Sequence, residues 1–234
     1  MHKSRSEYRD GYKAHVAVEP ETGLITATAL TAADAPEGPT GVELLAGEEP
    51  GLQVLADSAY GSGPVRAALA DAHHATAIKA MPLRRAIPGG FDRDDFRIDH
   101  TARTASCPAG HTVTITLKGN ATFGVRCRAC PLRSRCTTAK TGRTLQISEH
   151  DKELVEARRA WNAGEFIDDY RQHRPMVERS LAWLVARGHR RVRYRGIERN
   201  HHGLTIRVAA INLRRLINLG LTRHATGWTL IPNR

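Results

Sequence analysis

Val54-Leu55-Ala56-Asp57-Ser58-Ala59-Tyr60-Gly61-Ser62-Gly63 changes character at its middle. Residues 53–56 form a short apolar, strand-like run that stops at a carboxylate and a group of small, turn-forming residues. A carboxylate at the carboxyl end of a buried strand, with Gly61 and Gly63 opening the next helix, stands where open α/β sheets carry their chemistry. The same position also suits a cap, so Asp57 has a purely structural reading as the residue that starts the helix near Pro64.

Upstream of this stretch, residues 12–18 alternate apolar and polar, residues 20–23 read as a turn, and residues 24–30 read as a second strand. Together they predict an antiparallel hairpin. A small-residue loop leads to a short helix over 41–47, with Val42, Leu44 and Leu45 available to a core. Downstream, residues 64–73 are helical, with Pro64 in the first turn and Val65, Ala68 and Leu69 on one side, and residues 75–80 form another apolar strand. The order strand, strand, helix, strand, helix, strand predicts a mixed α/β layer.

Beyond this layer the pattern breaks. Residues 82–148 carry Pro88-Gly89-Gly90, a mixture of acids and bases over 92–99, short Thr/Val/Ile alternations such as 112–117, and all four cysteines, which predicts a β-rich insert. Residues 151–163 and 165–187 are then helical, Gly188 and Gly196 interrupt, and residues 204–221 form a last amphipathic helix. Its inward face is expected to hold Ile206, Ala209, Ala210, Leu213, Leu216 and Ile217. The expected division is therefore 1–81 and 149–221 for one core, 82–148 for the insert, and 222–234 for a tail.

The chain of 234 residues is 41% hydrophobic and 25% charged, which fits an ordinary globular protein and excludes a disordered polyelectrolyte. Its 35 Lys and Arg outnumber 24 Asp and Glu, leaving a net charge of +11. Such an excess favours a polyanionic partner, because each phosphate neutralised releases counterions whatever the base sequence. Nucleic acid is therefore the first partner to test. No apolar run is long enough to span a bilayer and residues 1–9 are polar, so no membrane is expected and the cytoplasm is the expected location. Four cysteines in so long a chain do not make a disulfide framework.

Those cysteines are Cys107, Cys127, Cys130 and Cys136. Two residues between Cys127 and Cys130 allow both sulfurs to reach one tetrahedral ion, and the four together would form a thiolate zinc site that staples the insert. His111 is a rival for one ligand position, and four unlinked free thiols are the alternative. Four thiolates leave no open coordination position, which argues against a catalytic zinc.

A second constellation runs from Tyr170 through Arg174 and Pro175 to Glu178. Val177, Leu181 and Leu184 recur at helical spacing, placing Glu178 at the border of the buried stripe. Pro175 either kinks this helix or starts a new one, and in the second case Glu178 occupies a first turn, where the macrodipole favours its charge. Glu178 can also pair simply with Arg174 one turn earlier. If Asp57 and Glu178 face each other, their oxygens suit Mg²⁺ or Mn²⁺, and a pair of such ions would activate a nucleophile and stabilise a leaving oxygen in phosphodiester chemistry.

At this point the chain resembles the DDE transposases of bacterial insertion sequences, whose catalytic domain has the ribonuclease H-like fold. The resemblance rests on four blocks in order: residues 10–16 (DGYKAHV), residues 55–61 (LADSAYG), the cysteine insert with Cys130-Pro131-Leu132, and residues 170–178. It implies that Asp57 and Glu178 are the second and third catalytic acids and metal ligands, and that Tyr170 and Arg174 contact DNA. The Tyr-to-Arg spacing is one residue longer than in the family pattern, and Val185 stands where a Lys is expected; Arg187, Arg190 and Arg191 are expected to supply the phosphate contacts.

The family's first acid lies on a strand ahead of the hairpin. Asp10 matches a different family position, so the expected fold is a ribonuclease H-like mixed sheet lacking its first strand. The implied reading is the carboxyl-terminal portion of a transposase, nucleoid-associated and compatible with a homo-oligomer, with reduced activity unless an upstream transposase portion supplies the missing acid. The alternative is a zinc-stapled DNA-binding module without catalysis.

Overall fold

The computed structural model describes residues 2–4, 7–8, 11–186 and 188–231. Asp10 and Arg187, both weighed above, lie outside the described residues. In chain order the elements are β1 (His2–Ser4), β2 (Glu7–Tyr8), β3 (Tyr12–Val18), β4 (Ile25–Ala32), α1 (Glu37–Glu43), β5 (Gln53–Ala56), α2 (Gly63–Asp71) and β6 (Ala75–Ile78). There follow β7 (Arg97–Asp99), β8 (Thr104–Ser106), β9 (Thr112–Thr114), β10 (Asn120–Thr122), α3 (Arg133–Cys136), β11 (Thr144–Gln146) and α4 (Asp151–Ala163). The chain then runs through α5 (Ile167–Val185), α6 (Ile197–Asn218), β12 (Leu221–His224) and β13 (Gly227–Leu230).

The chain divides into two units, Met1–Ile78 with Gly164–Arg234, and Lys79–Ala163. In the first unit β3 and β4 form the antiparallel hairpin, in register from Tyr12 opposite Ala32 to Val18 opposite Ile25. β5 and β6 pair in parallel through the α2 crossover. These are two separate two-stranded sheets rather than one mixed sheet, and the fold is mixed α/β.

The hairpin's core is Ile25 with Leu184, Leu204 and Val208, backed by Val16, Val18, Leu30, Leu181 and Ile211. A second core joins Val65, Leu69 and Ile78 to Val42, Leu45, Val54 and Ala56. Buried Arg66 fastens α2 to the parallel pair by donating to the Gly61 and Ile78 carbonyls at 3.1 and 2.9 Å. The first helix spans Glu37–Glu43, earlier than its apolar residues suggested, because Pro36 ends the preceding loop and is its N-cap.

α6 begins at Ile197, and the face it buries is not the one expected. Leu204 and Val208 are buried, while Ile206, Leu213 and Ile217 are 59%, 51% and 56% exposed. Asn212 fixes this rotation by bonding both the amide and the carbonyl of Ile25, at 2.9 and 2.8 Å. Arg215 adds a bond to Ser180 Oγ at 2.9 Å and one to the Gly23 carbonyl.

The second unit has a three-stranded antiparallel sheet β7-β8-β9 and the pair β10-β11 around Phe96, Ala105, Val113, Ile115, Ala121, Phe123, Leu145 and Ile147. It also holds α4, so the helix that the pattern grouped with the later helices belongs with the cysteine-bearing segment. Asp151, the first residue of α4, receives a bidentate pair from Arg93 and lies 3.2 Å from His100 Nε2. Arg158, two turns on, holds Asp94 through both its oxygens.

Candidate active site

β5 ends at Ala56, and Asp57 follows in extended conformation. Its Oδ1 accepts the Ala59 amide at 2.9 Å, capping the 3-10 turn Ser58–Tyr60 rather than α2, whose N-cap is Ser62. Capping thus occupies one oxygen. The other, Oδ2, lies 3.6 Å from Arg174 Nη2. Arg174 Nε in turn lies 3.8 Å from Glu178 Oε1. One guanidinium therefore stands beside both carboxylates.

The geometry follows from how α5 accompanies β5. Gln53, at the start of the strand, donates to Asp169 Oδ2 at 3.4 Å near the start of the helix, and Asp57, just past the strand, meets Arg174 one turn later. Strand and helix advance in the same sense, so the next turn carries Glu178 past the strand end. Pro175 sits inside α5, which continues to Val185. Glu178 is therefore mid-helix, and the first-turn macrodipole expectation is withdrawn. The side chain of Arg174 is 22% exposed, that of Asp57 45% and that of Glu178 69%, so the site opens to solvent on the glutamate side. At such exposure the ion pairs are screened and contribute little stability.

A buried network stands behind Asp57. Tyr60, last residue of the capped turn, bonds His15 Nδ1 at 2.8 Å, and His15 Nε2 bonds Thr31 Oγ1 at 2.9 Å. His15 is 2% exposed. Burial lowers its pKa from 6.5, opposed by Glu37 and reinforced by Lys13. The Tyr60 phenol is pushed up to about 12 by burial and by Glu37 and Asp57, against the opposing pull of Arg174. α1 comes so close that a Cβ on Gly41 would meet the Tyr60 ring at 2.5 Å. Both residues sit inside the quoted motifs without a role assigned to them. The available signal was a histidine in the middle of an alternating strand.

Tyr170 is half-buried, one turn before Arg174 on α5. Arg190 and Arg191 are exposed in the loop between α5 and α6.

The cysteines come together without forming the expected metal site. Cys107, Cys127, Cys130 and Cys136 line one pocket of about 20 Å³ with His111, Phe91, Phe96, Phe123 and several arginines. Among the described residues, no three His, Cys, Asp or Glu side chains are gathered so that they could hold a metal ion. The zinc expectation therefore gains no support: a tetrahedral site needs its sulfurs about 2.3 Å from one point, and the C-x-x-C spacing permits that convergence without forcing it. Cys127 and Cys136 are instead packed into the phenylalanine core, where burial raises the Cys136 thiol. Cys127 Sγ accepts the Arg143 amide at 3.4 Å.

Residues 106–217 match a family model described as a transposase DDE domain. This segment, 112 of the 234 residues, is similar to that family. The matched residues include the four cysteines, Tyr170, Arg174 and Glu178, while Asp57 lies ahead of them. At the level of the family, a transposase DDE domain acts on DNA, cutting and transferring strands in transposition. Comparisons with curated proteins and with solved structures each found no match. Among the described residues no helix is long and apolar enough to cross a membrane.

Proposed function

We propose that this chain performs divalent-metal-dependent DNA cleavage and strand transfer in the movement of a bacterial insertion sequence, through a ribonuclease H-like core in which Asp57 and Glu178 are catalytic ligands. The observation that carries the reading is the shared guanidinium: two acids 121 positions apart in sequence lie 3.6 and 3.8 Å from Arg174. A cation between two carboxylates marks a place where positive charge is favourable, and an all-oxygen donor pair suits Mg²⁺ or Mn²⁺. When bound, such ions supply an activated nucleophile and a stabilised leaving oxygen.

The chain's own residues orient the DNA around them. Arg174 holds a phosphate next to the acids, Tyr170 supports the strand one turn upstream, and Arg190 and Arg191 take phosphates beyond the end of α5. Asp57 is kept aimed by the Ala59 amide and by the Tyr60–His15 pair behind it. No third carboxylate joins Asp57 and Glu178 among the described residues, and the further acid is assigned to an upstream transposase portion. The zinc-stapled, non-catalytic module gains no support from the cysteine geometry.

Two measurements test the reading together. Fe²⁺-driven hydroxyl-radical cleavage should cut the backbone near residues 57 and 178 and spare the Asp57→Asn and Glu178→Gln variants. Mg²⁺- or Mn²⁺-dependent nicking of supercoiled plasmid should fall by about a hundredfold or more in each variant, at or above the loss typical of disturbed metal sites. Wild-type cleavage patterns and rates in both variants would remove Asp57 and Glu178 from catalysis.

A further inference from the structure

The loop between α5 and α6 concentrates positive charge as no other part of the sequence does. Between Glu178 and Glu198 the sequence holds no carboxylate, and within it Arg190, Arg191, Arg193 and Arg195 fall inside six residues. All four are exposed. Among the described residues none of them forms an ion pair. Four like charges so close repel one another and would ordinarily splay a surface loop.

This loop is tied down instead. Asn200, in the first turn of α6 and only 8% exposed, donates to the Tyr194 and Gly196 carbonyls at 2.6 and 2.7 Å, and its Oδ1 accepts the Tyr194 amide at 3.3 Å. The Gly196 amide donates to Tyr12 Oη at 2.7 Å, fastening the same turn to β3. Gly188 and Gly196, with φ of 83° and 90°, make the bends that bound the segment, a conformation costly for a side-chain-bearing residue.

We infer that Asn200 and Tyr12 hold Arg190, Arg191, Arg193 and Arg195 as a pre-organised clamp for the phosphate backbone of duplex DNA, read without regard to base sequence. The inference rests on the reading of DNA as partner and is independent of the acidic site. It adds Arg193 and Arg195 as contacts and gives Asn200 and Tyr12 a positioning role. The clamp binds by charge, since guanidinium forks match phosphate oxygens and each contact releases counterions. Pre-organisation raises affinity by sparing the entropy of ordering the loop at the moment of binding.

The test is a salt series of anisotropy titrations of the full chain against a fluorescein-labelled duplex of scrambled sequence, in EDTA so that metal chemistry is silent. Replacing the four arginines by Gln should flatten the log–log salt slope by about 3 to 4, and each single replacement by about 0.9. Asn200→Ala should keep the wild-type slope and bind about tenfold more weakly, the cost of ordering a loosened loop. Tyr12→Phe, which removes one tether from the surface, should act in the same direction and more weakly, and circular dichroism identifies any variant that fails to fold.

An unchanged slope in the four-arginine variant would overturn the clamp. Wild-type affinity in both folded tether variants would overturn the positioning role. Loss confined to vesicles of phosphatidylserine and phosphatidylcholine, with DNA binding retained, would assign the loop to an anionic membrane surface instead. The four-arginine variant reads the clamp in EDTA, where the acidic site is silent, and Glu178→Gln reads the acidic site by metal-dependent nicking, so failure of the catalytic assignment and failure of the clamp read out separately.

Discussion

His15 has both ring nitrogens engaged inside the protein, one by Tyr60 and one by Thr31, and almost no contact with water. Tyr60→Phe removes the partner of a buried nitrogen while keeping the ring, so it should cost about 1–3 kcal/mol in urea unfolding. The same burial sets a pH dependence. A lowered folded-state pKa means that the unfolded chain binds the proton more readily. The contribution is therefore complete above 6.5 and is lost as pH falls below it toward the folded-state value. Gln does not titrate, so His15→Gln should unfold with less pH sensitivity than wild type in the window just below 6.5. Melting temperatures that fall in parallel for both proteins would show that His15 is not the group responsible.

At the scale of elements, α6 shows what hydrophobic periodicity can and cannot decide. Two faces of this helix are apolar, one with Leu204, Val208 and Ile211 and one with Ile206, Ala210, Leu213 and Ile217. The buried face also carries Asn200, Asn212 and Arg215, which lower its apparent hydrophobicity and make the other face look like the core side. Those polar groups are inside because each finds partners on the hairpin, on α5 or in the arginine loop, information that a single helix does not contain. Leu204→Ala should accordingly cost about 2–5 kcal/mol, whereas Ile206→Ala should stay within about 0.5 kcal/mol. Equal losses in chemical denaturation would restore the original orientation.

The hairpin, β5, α2 and β6 were legible because alternation, a turn and Pro64 each mark them locally. Asp57 and Glu178 were legible as candidates through their motifs, and their shared Arg174 was legible only as an i, i+4 partner of one of them. His15, Tyr60 and Asn200 act through contacts 45, 45 and 6 residues away in sequence, and only the folded chain supplies those contacts.

Across the whole molecule, the net charge of +11 and the loop's four exposed arginines set the expected mode of association. Affinity of the wild-type chain for unrelated duplexes should fall linearly on a log–log salt plot and differ little between sequences. Strong sequence discrimination at constant salt would point to base contacts that the described surface does not explain.

The order in which the ribosome releases the chain gives the two-unit division a temporal meaning. Lys79–Ala163 is continuous and complete once its last residue emerges, while the other unit is interrupted between Ile78 and Gly164. Asp57 is synthesised 117 residues before Arg174, a wait of roughly ten seconds at ordinary elongation rates. A fragment ending at residue 163 and released from the ribosome should therefore resist protease over 79–163 and remain susceptible over 11–78, because α5 and α6, which cover the hairpin, are missing from it.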